Sequence, residues 1–366
     1  MKKNILFAIS SLGLGHASRS LPIIKYYAKN NKNRLFIFSF GNALIFLKDE
    51  LKSYNNIKFI SYIDYPYFQR GNGLFLYYYL LFDSIKTSLM VKRENNFVEK
   101  YINKEKIDFI ISDGKYGFYS KKIPSFIIMH QVKIILPFLY RLFNFVIDNY
   151  QYNIFRKFNC LLIPDFKNEG LAGKLSHNNI VNKLNHEYIG ILSNYVHLNK
   201  KKDIDYLFII SGYLKSNKNL FINNLIKNSI NLKGKKVFVL GETNEIYHNI
   251  NKKNNIEIYS YVSGKLRNDL MNRSKMVISR SGYTTIMDLI ELDKKAVLTP
   301  TTNQSEQEYL AKYLSKKGNF VCFEANSNID LNNLVKKTEN SKLFNAEWKT
   351  KESLKRINET IKKYLK

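Results

Sequence analysis

Two loops in this sequence carry the residue types and spacing that chemistry needs. The first reads Ser10-Ser11-Leu12-Gly13-Leu14-Gly15-His16-Ala17-Ser18-Arg19 and follows a short apolar run. Glycines at such a turn let a ligand approach the backbone, and a helix starting there favours an anion. Gly13 and Gly15 make a GxG, but Ser18 stands where a dinucleotide fingerprint has its third glycine. His16 is more informative, because an imidazole at a helix start can serve as a general base near neutral pH. Asp113, in Ile110-Ile111-Ser112-Asp113-Gly114, and the pair His130-Gln131 also end apolar runs, at the edge where open α/β sheets bind ligands. Asp113 could orient His16 or replace it as the base, so the base stays open between these two residues.

The second loop is Ser279-Arg280-Ser281-Gly282-Tyr283-Thr284-Thr285-Ile286-Met287-Asp288. Backbone N–H groups and hydroxyls at the start of its helix suit a pyrophosphate. Thr284 and Asp288 are four apart and share a helix face, where a carboxylate can accept both hydroxyls of a ribose. A further run ends at Pro300 and leads to Asn303-Gln304-Ser305-Glu306-Gln307-Glu308-Tyr309. Ser305 is expected to cap that helix, with Gln307 in its first turn.

These loops need sheets to hold them. Apolar runs of four to eight residues recur at 4–10, 34–40, 57–62, 107–112, 124–130 and 160–164. A second set lies at 205–211, 235–240, 256–261, 276–279, 296–299 and 320–323. Each run is followed by turn residues and a helical pattern, which predicts parallel sheets covered on both faces. Two sets of six predict an α/β protein of two doubly wound Rossmann-like domains with a cleft between them. The expected bounds are 1–198 for the first domain and 199–345 for the second, with a helix at 346–366 packing back on the first.

The chain has 366 residues, 45% of them hydrophobic, which suffices for two cores. It carries 58 Lys and Arg against 30 Asp and Glu, a net charge of +28 spread over both halves. Part of this is a Lys-, Asn-, Ile- and Tyr-rich composition. The rest fits attraction to an anionic membrane, with nucleic acid as the rival. Diffuse charge without a concentrated basic face argues against nucleic acid. The segments 73–82 and 134–152 are rich in Tyr, Phe and Leu and suit a lipid interface. Cys160 and Cys322 sit in apolar runs of different domains, so neither a disulfide nor zinc is expected, and a reducing cytoplasm is. Asp203 and Asp205 have metal-like spacing, but they stand beside lysines and read as surface. No metal or cofactor is expected.

The second loop resembles the donor-binding signature of the GT-B glycosyltransferases of the family 28 type. Arg280, Ser281, Gly282, Thr285, Asp288, Pro300, Gln307 and Tyr309 follow that pattern in order. The Gly-Leu-Gly-His loop, Ser112-Asp113-Gly114 and His130-Gln131 are similar to a poorly assigned bacterial and archaeal branch of the same superfamily. The resemblance implies an inverting, metal-independent transfer of a hexose, such as N-acetylglucosamine, from a UDP-sugar to a lipid-linked or cell-envelope glycan. Catalysis would fall to His16 and Asp113. Donor binding would fall to Ser211, Gly212, Arg280, Ser281, Gly282, Thr284, Thr285, Asp288, Gln304, Gln307 and Glu308. The acceptor side would hold Gly13, Gly15, Arg19, His130 and Gln131. The location implied is the cytoplasm or the inner face of its membrane. Three positions depart from the pattern: the usual Glu is Asp288, the second Gln is Glu308, and Ser211-Gly212-Tyr213 replaces a run of glycines. A non-hydrolysing UDP-sugar epimerase on the same fold is the alternative.

Overall fold

The computed structural model describes residues 2–65, 75–135, 144–168, 170–210, 215–241, 247–302, 304–324 and 329–365, with side chains at 75–85 and 215–219 excepted. The chain divides into two compact units. Unit 1 is Met1–Leu192 with Trp348–Lys366, and unit 2 is Ser193–Glu347.

Unit 1 holds a parallel sheet of seven described strands: β1 (Asn4–Ile9), β2 (Arg34–Ser39), β3 (Ile57–Ser61), β4 (Phe109–Asp113), β5 (Ser125–Ile128), β6 (Cys160–Ile163) and β7 (His186–Tyr188). Their order is β3-β2-β1-β4-β5-β6-β7. The chain winds outward from β1 in one direction and then, from β4, in the other. The β1/β4 boundary is therefore the topological switch point, where open α/β sheets take ligands at the carboxyl ends of their strands. Ile9 pairs with Asp113 at that edge. The central strands are apolar on both faces because helices cover both. Phe36, Phe38, Phe109 and Phe126 are fully buried. The helices include α1 (Leu14–Ala28), α2 (Gly41–Glu50), α3 (Phe75–Glu105), α4 (Asn144–Phe155) and a short α5 (Asn179–Asn182). The last helix of the chain, α11 (Thr350–Tyr364), also packs in this unit: the Tyr364 ring meets Phe126 edge-on, 5.5 Å between centroids.

Unit 2 repeats the plan with β8 (Ile204–Ile209), β9 (Lys236–Val239), β10 (His248–Asn251), β11 (Ile256–Tyr259), β12 (Ser274–Arg280), β13 (Lys295–Thr299) and β14 (Val321–Cys322). The order is β10-β11-β9-β8-β12-β13-β14, with β10 antiparallel to β11 and the other pairs parallel. Its switch point lies between β8 and β12. The helices are α6 (Lys215–Ser229), α7 (Gly264–Arg273), α8 (Tyr283–Glu291), α9 (Ser305–Lys316) and α10 (Leu331–Glu339). Phe208 and Phe238 stack 4.1 Å apart in its core.

Each sheet has one strand more than its six apolar runs announce. β7 is three residues at an edge, and all four residues of β10 are exposed, so neither needs an apolar sequence. Cys160 and Cys322 are free thiols in separate units, and Cys322 is only half-buried. Among the described residues no helix is long and apolar enough to cross a membrane.

Candidate active site

In unit 1 the switch point gathers four of the expected side chains. His16 stands in the first turn of α1, whose cap residue Gly13 has φ 87°, a conformation open to glycine. Asp113 ends β4. His16 Nδ1 lies 2.6 Å from Asp113 Oδ1. Arg19, one turn further along α1, donates from Nε to Asp113 Oδ2 at 2.9 Å and from NH2 to Oδ1. Its NH2 also comes within 3.0 Å of His16 Nδ1. Ser20 Oγ donates to Asp113 Oδ2 at 2.7 Å. Asp113 is 1% exposed, and burial alone would push its carboxyl up. The Arg19 guanidinium and then His16 outweigh that and hold it well below the ordinary carboxylate range.

These contacts decide the imidazole's orientation. An ionised carboxylate only accepts, so the proton of the pair sits on His16 Nδ1. In the neutral ring Nε2 then carries the lone pair, and among the described residues it has no hydrogen-bond partner. The His16 side chain is 22% exposed, against 1% for Asp113. Of the two candidate bases, His16 is the reachable one.

Arg19 and His130, expected on the acceptor side, are both buried. Arg19 NH1 donates to His130 Nδ1 at 2.7 Å, so His130 holds the guanidinium that in turn holds Asp113. Gly15 and Gln131 are half-buried beside them. Gly114 shows how tight the arrangement is: at φ +74°, a Cβ there would stand 2.9 Å from His16 Cε1 and 3.0 Å from Ser10 Cβ.

In unit 2 the loop after β12 leads into α8 with Gly282 as the cap residue and no side-chain cap. Among the described residues a Cβ on Gly282 would meet nothing nearer than Thr285 Oγ1 at 3.9 Å, and its φ of −70° suits any residue. The fold does not need a glycine here. Arg280 lays its guanidinium 4.0 Å over the Phe221 ring and donates from NH1 to the Pro300 carbonyl at 2.9 Å. Burial lowers its pKa to about 10. Ser281 is buried and donates to the Gln307 carbonyl at 2.9 Å. Thr284 and Thr285 are half-buried in the first turn of α8.

Comparison with known proteins now bears on this loop. Residues 207–364 match the model of the glycosyltransferase family 28 C-terminal domain. Over that segment, less than half of the chain, the sequence is similar to glycosyltransferase family 28. A UDP-N-acetylglucosamine--N-acetylmuramyl-(pentapeptide) pyrophosphoryl-undecaprenol N-acetylglucosamine transferase of Prochlorococcus marinus (strain MIT 9301) is 35% identical over 115 residues, 29% of this chain and 30% of the relative. The enzyme of that name from Clostridium botulinum (strain Langeland / NCTC 10281 / Type F) is 31% identical over 170 residues, 40% of this chain and 44% of the relative. These matches span less than half the length of either relative. Among solved structures, MurG of Acinetobacter baumannii is 13% identical with a TM-score of 0.54, covering 98% of this chain and 99% of that one. The glycotransferase of kitacinnamycin is 12% identical with a TM-score of 0.62, covering 99% and 95%. At such identities the likeness carries the fold, and the fold is GT-B.

Within the family 28 segment, the remaining expected residues differ in what they do. Asp288 is 8% exposed, and its Oδ1 accepts from Ser193 Oγ at 2.6 Å. Burial pushes the carboxyl up to about 7, against the pull of Ser193 and Arg267. Ser193 lies outside every motif and was not expected. Gln304, not Ser305, caps α9, and it lends no side-chain cap bond. Gln307 Oε1 accepts from the Thr301 N–H at 2.9 Å, and its amide donates to Gln304 Oε1. These contacts hold the β13–α9 loop. Glu308 is exposed. Ser211 and Gly212 lie outside the described residues. Asp203 and Asp205 are spent on Arg273, at 2.6 Å, and Lys275, at 2.7 Å.

The sequence reading also missed a buried group in unit 1. Lys115 is 0% exposed and pairs with Asp64 at 3.3 Å and Glu94 at 2.9 Å. Asp64 also borders a cavity of about 460 Å³ with Lys86, Leu89, Met90 and Arg93. The one signal in the sequence was the position of Lys115, two residues after Asp113.

Proposed function

We propose that this chain is an inverting glycosyltransferase that moves a hexose, such as N-acetylglucosamine, from a UDP-sugar to a lipid-linked or cell-envelope glycan. The observation that carries this reading is the His16–Asp113 pair, whose second imidazole nitrogen has no partner among the described residues and whose imidazole side chain is partly exposed. It stands in a GT-B chain with a family 28 donor segment. His16 Nε2 takes the proton of the acceptor hydroxyl. The oxygen attacks the anomeric carbon from the face opposite the diphosphate, the carbon–oxygen bond to the diphosphate breaks, and UDP leaves with that electron pair. Asp113 stays ionised and stabilises the imidazolium.

The donor's diphosphate is assigned to the start of α8, where the absence of a Cβ at Gly282 leaves room the fold itself does not require. Helix N-terminal N–H groups and Arg280 supply positive potential as charge develops on the leaving group. Asp288 is assigned to the ribose hydroxyls, exchanging its bond with Ser193 for bonds to the sugar. The relatives from Prochlorococcus marinus and Clostridium botulinum are named for an N-acetylmuramyl-(pentapeptide) pyrophosphoryl-undecaprenol substrate, which supports a lipid-linked acceptor here. The cavity bordered by Lys86 and Arg93 suits a phosphorylated one.

Calorimetry and turnover test the two halves separately. Asp288→Ala and Gly282→Val should each weaken UDP binding, by ~1–3 kcal/mol for the lost charge-assisted bonds of Asp288. His16→Ala should bind UDP as wild type does and lose ~10²–10⁴-fold in turnover. Unchanged UDP affinity in both unit 2 variants would remove the donor site. A product of retained anomeric configuration would remove the inverting mechanism.

A further inference from the structure

Lys115, Asp64, Glu94 and Tyr65 form a charged cluster inside unit 1 that the proposed reaction does not use. Lys115, Glu94 and Tyr65 are buried, and Asp64 is half-buried with its side chain 5% exposed. The Lys115 ammonium donates to the Ile63 carbonyl at 2.6 Å and to Glu94 Oε1 at 2.9 Å, and forms an ion pair with Asp64 Oδ1 at 3.3 Å. Tyr65 donates its hydroxyl proton to Glu94 Oε2, and its oxygen accepts from the Tyr116 N–H at 2.7 Å. Glu94 Oε2 also accepts from the Gly117 N–H at 3.0 Å. The Tyr62, Tyr65 and Phe118 rings surround the ammonium at 5.1–5.8 Å. A buried ion cluster of this kind is a poor source of stability, since apolar replacements often do as well. Its value lies in the geometry it imposes, and that geometry points to the His16 loop.

Asp64 is the link. Its Oδ2 accepts from Ser10 Oγ at 3.0 Å and from the Ser11 N–H. Ser10 Oγ accepts in turn from the Leu12 N–H at 3.2 Å, and the Ser10 N–H donates to the Asp113 carbonyl at 2.9 Å. The stretch entering α1 is thus fastened on one side to Asp64 and on the other to β4. Lys115, which holds Asp64, follows Asp113 by two residues, and Ser112 Oγ fixes that turn by donating to the Lys115 carbonyl at 2.5 Å. One tight segment, Asp113-Gly114-Lys115, therefore carries the carboxylate that orients the imidazole and the cation that anchors the loop bearing it.

We infer that Asp64, held in place by Lys115 and Glu94, is a positioning residue that fixes the β1–α1 loop and with it the Nδ1-protonated orientation of His16. The consequence for turnover rests on the proposed role of His16 as base; the orientation itself does not. Asp64→Ala leaves Lys115 paired with Glu94, a neutral buried pair, so the variant keeps its fold. Asp64→Asn keeps an acceptor for Ser10 and Ser11.

The test is the long-range ¹H–¹⁵N spectrum of the histidine rings in the full chain at neutral pH, with His16 assigned as the signal lost in His16→Ala. Wild type should show a neutral ring with its proton on Nδ1. Asp64→Ala should show the averaged pattern of a ring exchanging between tautomers, and Asp64→Asn should restore the wild-type pattern. UDP release from UDP-N-acetylglucosamine, with water as acceptor, should fall ~10–100-fold in Asp64→Ala, the scale of a misplaced catalytic group. Placed on His16→Ala, Asp64→Ala should cost nothing more. A wild-type His16 signal in Asp64→Ala, or losses that multiply in the double variant, would overturn the inference. Full UDP release by His16→Ala alone would overturn the base assignment, while the tautomer result still decides the role of Asp64.

Discussion

At the scale of single residues, the arrangement turns on one carboxylate with several donors. Asp113 receives Arg19 through two nitrogens, Ser20 and His16, and with that many donors it stays ionised while buried. A carboxylate so engaged orients well and takes up a proton poorly, which favours His16 as the proposed base. Gly114 is the residue whose replacement tests this closeness most cleanly. Its Cβ would press on the His16 ring, and its φ of +74° strains any L side chain. Gly114→Ala should therefore lower turnover by about 10-fold or more, as expected for a displaced catalytic group. UDP affinity should match wild type, since the donor is assigned to unit 2. Turnover equal to wild type, measured beside calorimetry on the same sample, would mean that the ring position is not critical.

At the scale of elements, α8 is the one to question. At Gly282, the start of its first turn, a Cβ would touch only Thr285 Oγ1 among the described residues, while one turn later Asp288 is buried against Ser193. Burial raises the Asp288 carboxyl to about 7 in the folded state, against the ordinary aspartate value of about 4 in the unfolded chain. Between those values the folded state holds the extra proton, so this group's contribution lowers stability as pH rises from about 4 to about 7. Asp288→Asn keeps an acceptor for Ser193 and removes the ionisation. Its melting temperature should exceed that of wild type above pH 7, and the difference should shrink towards pH 4. UDP binding should move the opposite way in wild type, strengthening through pH 7 as the carboxylate that accepts the ribose hydroxyls forms. Titration calorimetry at pH 6 and pH 8 checks this, and a flat wild-type profile would mean that Asp288 does not hold the ribose as an anion.

At the scale of the molecule, the net charge of +28 meets an apolar surface in unit 1. Phe145 is 81% exposed and Val146 63% exposed on α4, and Leu89 is 54% exposed on α3. The two helices touch where Ser88 Oγ and Tyr150 OH lie 3.3 Å apart. Lys and Arg near an anionic leaflet contribute about 1 kcal/mol each, a term salt screens, whereas inserted Phe and Leu add a term it does not. Vesicles containing phosphatidylserine should bind the protein at low salt, and high salt should release only part of it. Phe145→Ser with Val146→Ser should remove the salt-resistant part, and the exposure of both side chains means the fold should tolerate it. Protein that stays free of such vesicles at low salt would reduce the charge to a feature of composition. The tyrosines at 77–79 belong to the same argument in the sequence, but their side chains lie outside the described residues.

The sequence alone determined the alternation of apolar runs and helices, and hence two doubly wound sheets. Burial on both faces writes itself into local composition, residue by residue. It also placed His16, Asp113 and the Arg280–Asp288 loop at the carboxyl ends of strands, because turn residues mark where each strand stops. The strands it did not reveal, β7 and β10, lie at sheet edges, where polar residues pair as well as apolar ones. Only the tertiary structure decided which charged groups meet. Arg19 and Asp113 are 94 residues apart, and Lys115 and Glu94 are 21 apart. No periodicity records such pairings, since they arise from crossovers that bring separate loops to one edge of a sheet. The same crossovers set the roles. Arg19, on a loop that reads as acceptor-facing, is buried against Asp113, and Asp288, which reads as a ribose-binding carboxylate, is buried against Ser193. Burial and partner fix the protonation of both aspartates, and neither is a property of the chain before it folds.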